Sequence, residues 1–138
     1  MRRMLRYAQT MRLFLALTLL STAGCVGDET FNKYGAADRV WVLSELNGEA
    51  VSVPITLTVP TPGRIAGQAV CVTYAAEMIA PYPWFDTEAI ETSNRTCEKT
   101  PTETRYLLAL TGVTQSEVLN DTLILSGNGA ELVFKAAE

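Results

Sequence analysis

The side chains able to do covalent chemistry are few: this sequence of 138 residues has three cysteines, Cys25, Cys71 and Cys97, and no histidine. Without an imidazole there is no Ser-His-Asp or Cys-His relay, so hydrolysis by a triad is excluded. No cysteine has a second cysteine or a histidine at metal-ligand spacing, so neither a metal nor a cofactor is expected. Carboxylates remain for acid–base work, and Asp86, Glu88 and Glu91 lie close together beside Trp84 and Phe85. A glycosidase-like pair requires two carboxyl groups roughly 5 to 10 Å apart across a cleft. An acidic run of this kind reads more simply as a solvated loop and strand edge, and the expectation is a protein that is not an enzyme. Cys71 and Cys97 are predicted to form a disulfide if the chain is exported, closing a loop of about 26 residues and contributing about 3.5 kcal/mol by loop entropy. The alternative is two buried free thiols.

The segment before Cys25 supplies the export. Arg2, Arg3, Arg6 and Arg12 precede an apolar stretch, Leu13 to Leu20, and small residues follow up to Cys25, the order of a secretory signal peptide. Eight residues fall well short of the roughly 20 a spanning helix needs. Thr22-Ala23-Gly24-Cys25 resembles the lipobox of bacterial lipoproteins, in which the cysteine is diacylated and the bond before it is cut; Thr22 stands where a leucine is usual. The resemblance implies a signal peptide over 1–24, lipidation of Cys25 and a palmitate-bearing membrane anchor. The alternative is an ordinary secreted protein with Cys25 as a spare thiol. Val26 in place of an aspartate implies, again by resemblance, the outer membrane facing the periplasm rather than the inner membrane or the surface.

Charge divides at the same point. From Cys25 onward seven basic side chains face fifteen acidic ones, a net charge of −8. Such a domain is repelled by phosphate backbones, so nucleic acid is not an expected partner. The expected partners are the membrane, through the lipid anchor, and an envelope protein.

The elements that must position these groups follow from periodicity and turn chemistry. Residues 26–38 are polar and aperiodic, giving a lipidated N-terminus and tether over 25–39 and a single domain over 40–138. Runs rich in β-branched, aromatic and aliphatic residues at 40–46, 55–59, 70–76, 89–92, 115–119, 122–127 and 131–135 predict strands. Asn47-Gly48, Pro60-Thr61-Pro62-Gly63, Asn120-Asp121 and Gly127-Asn128-Gly129 supply turns, the last two closing a three-stranded meander. Thr100 as N-cap, Pro101 in the first turn and Glu103 as the capping-box partner start one helix, which Gly112 stops. Tyr106, Leu107, Leu110 and Val113 share its buried face. The predicted fold is mainly β (α+β): a compact antiparallel β-barrel-like domain of seven to nine strands with one short helix.

Pro81-Tyr82-Pro83-Trp84-Phe85 is the most unusual local composition. Tyr82, Trp84 and Phe85 in a rigid loop make good contact anchors for a protein or glycan partner. The alternative is that Trp84 and Phe85 begin a strand and point into the core, as Trp41 is expected to do.

The order of signals, Trp41 to Leu43, then Leu46-Asn47-Gly48, a strand carrying Cys71, Cys97, the capped helix and a final hairpin, resembles the META domain family, which includes the HslJ-like bacterial lipoproteins. The resemblance covers Val40 to Lys135 and implies a compact antiparallel barrel, no enzymatic activity and a stress- or envelope-related role. In two places the chain departs from it: Val70 and Val72 flank Cys71 where the family often has Gly and Asn, and Arg95 is shifted by one position relative to Cys97. The expected function is therefore that of a non-enzymatic envelope lipoprotein, a stress- or envelope-related accessory that binds another envelope component. The alternative is a periplasmic inhibitor of a hydrolase such as lysozyme, whose positive charge an acidic domain would suit.

Overall fold

The computed structural model describes residues 34–138. The signal peptide expected over 1–24, Cys25 and most of the tether lie outside the described residues. In chain order the elements are β1 (Trp41–Leu46), β2 (Glu49–Ala50), β3 (Thr56–Thr61), β4 (Arg64–Ala69), β5 (Val72–Glu77), β6 (Glu91–Thr92), α1 (Pro101–Gly112), β7 (Gln115–Leu119), β8 (Thr122–Gly127) and β9 (Ala130–Ala136). The strands form one antiparallel sheet in the order β6-β5-β4-β3-β1-β9-β8-β7, with β2 paired to β1. Asn47-Gly48 and Asn128-Gly129 take positive φ at both positions, the geometry that matches a tight hairpin to strand twist.

Alternation sends one face of each strand inward. Trp41 and Leu43 of β1 are buried, and a bulge between Leu43 and Glu45 in the ladder with β9 resets the parity so that Leu46 is buried too. Ile55, Leu57, Ile65, Leu123 and Phe134 complete the same core. The helix lies against β9 and β4. It buries Tyr106, Ala109 and Leu110, with Val113 just beyond its end, while Leu107 is half-buried.

Three expectations need correction. The sheet is open, so the barrel-like description holds only loosely. Its edges β6 and β7 do not pair with each other; β6 has two residues, and Pro81 and Pro83 in the connecting segment lack the N–H groups a ladder needs. Strand β4, absent from the predicted set, lies between β3 and β5, and the strand expected at 70–76 begins only at Val72. The folded unit also starts before residue 40: Ala36 is fully buried, and its carbonyl accepts the Trp41 indole N–H at 3.1 Å, the partner a buried tryptophan needs.

Candidate functional site

The segment between β5 and β6 closes the seam that the strands leave open. Its neck is a bridge between Met78 and Thr87, tightened by the Ile79 N–H donating to the Asp86 carbonyl at 2.9 Å. At its tip the Tyr82–Pro83 peptide is cis, and the Trp84 N–H donates to the Pro81 carbonyl at 2.9 Å. The far side is fastened to β7. The Phe85 N–H donates to the Thr114 carbonyl at 2.8 Å and the Ser116 N–H to the Pro83 carbonyl at 2.7 Å, flanking an isolated bridge between Trp84 and Gln115.

Because that bridge is strand-like, successive side chains point to opposite faces. Phe85 goes inward and is 1% exposed, so it is a core residue and not a partner contact. Trp84 goes outward and is 55% exposed. Tyr82 is half-buried and stacks on Tyr34, ring centroids 4.1 Å apart and planes within 14°. Of the three aromatics expected to make contacts, the fold leaves Tyr82 and Trp84 available.

The acidic side chains beside this loop do not assemble into a buried pair. Asp86, Glu88 and Glu91 are all exposed, and Glu91 lies 3.9 Å from Arg64, which also pairs with Glu77. The buried carboxylate is elsewhere. Glu103 at the start of α1 is completely inaccessible to solvent. Arg95 approaches it with two nitrogens, at 2.5 and 3.2 Å, and the Cys71 N–H donates to it at 3.3 Å. The Arg95 guanidinium holds the Glu103 carboxyl below the usual carboxylate range; burial opposes this, and the Cys71 N–H and Lys99 reinforce it. An ionised, fully partnered and inaccessible carboxylate is a clamp rather than an acid or a base. The capping-box reading is thus half correct: Thr100 Oγ1 accepts the Glu103 N–H at 3.2 Å, but the Glu103 side chain turns to Arg95. Only the unusual arginine near Cys97 could have signalled this.

The same clamp surrounds the disulfide. Cys71 and Cys97 are joined, with Cα atoms 5.3 Å apart, and the Cys71 carbonyl accepts both the N–H and the hydroxyl of Thr96. Across the core, the buried Tyr106 hydroxyl donates to Tyr74 Oη at 2.6 Å, leaving the Tyr74 hydroxyl to donate to the Thr56 carbonyl at 2.7 Å. Burial is the main cause that pushes both phenols above their ordinary range. Among the described residues, no three His, Cys, Asp or Glu side chains group as metal ligands, and no helix is long and apolar enough to cross a membrane.

A family model for the META domain matches residues 35–138, nearly the whole described chain. The chain belongs to the META domain family. Its fold is similar to that of a Burkholderia xenovorans protein solved by NMR, at 25% identity and a TM-score of 0.59, covering 74% of this chain and 83% of that one. A second NMR structure, at 17% identity and a TM-score of 0.57, covers 70% of this chain and 87% of its own, and shares the fold alone. No curated protein sequence matches. Against the META pattern, both departures noted in the sequence fall on the clamp. Val70 takes φ 57°, a conformation that suits a glycine, and the shifted Arg95 supplies the Glu103 ion pair.

Proposed function

We propose that this META domain is a non-enzymatic envelope lipoprotein, held by acyl chains on Cys25 to the outer membrane facing the periplasm. It serves as a stress- or envelope-related accessory that presents Tyr82 and Trp84 to another envelope component. The observation that carries the reading is Trp84: a large aromatic, 55% exposed, on a loop fastened at its neck and along β7. An indole held rigid loses little entropy on contact, which is why such residues dominate interface energies. Among the described residues, the one inaccessible carboxylate is committed to the clamp, which supports a binding role over catalysis.

The experiment is a photo-crosslinking side chain at position 84 in intact cells, combined with palmitate labelling. The expected outcome is an adduct in the envelope fraction and a label that disappears in Cys25→Ser. No adduct with the label present ends the contact role; no label ends the anchoring. Exposed Asp86 and Glu88 beside Trp84 favour one second reading, inhibition of a cationic hydrolase. That reading predicts a single cationic enzyme in the adduct, lost at high salt.

A further inference from the structure

The point where the tether joins the domain coincides with the aromatic loop. Tyr34, the first described residue, lays its ring on Tyr82, and Trp84 stands two residues further along the same loop. A Cβ added at Gly35 would lie 3.5 Å from Val118 Cγ1 on β7, so the junction and the fastened loop share one edge of the sheet. Cys25 precedes Tyr34 by nine residues, a span of at most about 30 Å when fully extended. An anchor at Cys25 therefore keeps Tyr34 within that distance of the lipid, with Tyr82 stacked on it and Trp84 two residues further on. Tyrosine and tryptophan rings, apolar in body and polar at one edge, concentrate at the level of the head groups.

Charge selects the kind of surface. Asp86, Glu88 and Glu117 are exposed around the loop and on β7, and the chain from Cys25 onward carries a net charge of −8. An anionic leaflet would repel this edge, whereas a zwitterionic one imposes no such cost.

We propose that, on a chain held by Cys25, Tyr34, Tyr82 and Trp84 settle into the head-group layer of the zwitterionic leaflet that carries the anchor. The component this loop meets is then the lipid surface itself. The inference rests on the anchoring proposed above, and it gives the domain a defined orientation, with the β7 edge toward the bilayer.

The two tryptophans make the test clean, because Trp41 is fully buried and Trp84 is exposed. The chain from Cys25 to Glu138, whose one thiol outside the disulfide is Cys25, is coupled to a maleimide head group in phosphatidylcholine vesicles with plain or brominated acyl chains. Emission from Trp84 is expected to fall by about half or more in the brominated vesicles, since an indole at the head-group boundary is within reach of the upper acyl carbons. Trp84→Phe, leaving Trp41 alone, should abolish that difference. Tyr34→Ala with Tyr82→Ala should reduce it several-fold at unchanged circular dichroism, and so should anionic lipid at about a third of the head groups at low salt. Equal emission in plain and brominated vesicles, with Trp84 as open to acrylamide on the vesicle as in solution, would overturn the proposal. So would a crosslink from position 84 that reaches only protein, although that result would leave the contact role standing. Failure of the anchoring shows separately, as an N-terminal peptide from cells that carries no acyl chain.

Discussion

Glu103 shows how one residue can satisfy a local pattern and still be recruited elsewhere. Three positions after Thr100 and two after Pro101, it has the local signature of a capping box, and its N–H does complete half of one. Its side chain instead meets Arg95, eight residues earlier in a stretch without regular structure, because burial leaves the carboxylate no water and an arginine is the strongest partner within reach. A pairing of this kind depends on where two segments pack, which no short window reveals. Its consequence is a pH dependence of definite sign. With its folded value lowered, the Glu103 carboxyl contributes stability that is fully present above the ordinary carboxylate range and is lost as pH falls through the folded value. Glu103→Gln should cost on the order of 2 kcal/mol at neutral pH, below the full cost of breaking a buried pair, since Arg95 is 38% exposed. In thermal melts the gap between the two proteins should hold above about pH 5 and narrow below about pH 4. A gap that stays constant down to pH 2 or so would remove Glu103 as the titrating group.

Among the elements, the β4–β5 hairpin was the least legible in the sequence, although the fold constrains it tightly at Gly67 and Val70. Ala66, Gly67 and Gln68 are weak strand formers, and Ile65 alone in β4 is too little to announce a strand. Gly67 is there because a Cβ would lie 2.0 Å from the Thr56 carbonyl oxygen and 2.7 Å from the Tyr74 hydroxyl, which bond each other. Its cross-strand partner is Tyr74 itself. At the hairpin tip the Cys71 N–H donates to the Ala69 carbonyl at 2.7 Å around Val70, a tight turn that places a β-branched residue at φ 57°. Such a residue pays roughly 1 to 2 kcal/mol in that region. Val70→Gly should recover that strain, partly offset by the half-buried side chain and by the added freedom of the unfolded chain, for a net gain of about 0.5 to 1 kcal/mol. A rise of a few degrees in Tm is the expected reading; a fall would mean that the packing of Val70 outweighs its backbone cost. The meander of β7, β8 and β9 is the opposite case, since its turns and alternation are contiguous in sequence and the register follows from them.

At the scale of the whole molecule, the disulfide ties the seam segment to the sheet. The ring from Cys71 to Cys97 contains β5, the aromatic loop and β6, so reduction releases the Cys97 end of the segment while β5 stays paired to β4. Reduced protein should lose about 3.5 kcal/mol relative to oxidised protein, read from urea midpoints. Coincident midpoints would show that the remaining contacts hold the seam by themselves. What the sequence determined unaided was what neighbours along the chain decide: the meander, the hairpin turns at Asn47-Gly48 and Asn128-Gly129, the Thr100 cap, and a cysteine pair with no histidine beside it. Only the tertiary structure decided that the sheet stays open, that Glu103 belongs to Arg95, and that Trp84 faces out while Phe85 faces in. The reason is parity: a strand-like segment exchanges its two faces with a shift of one residue, and the shift is set by the edge it meets, here β7, rather than by its own composition.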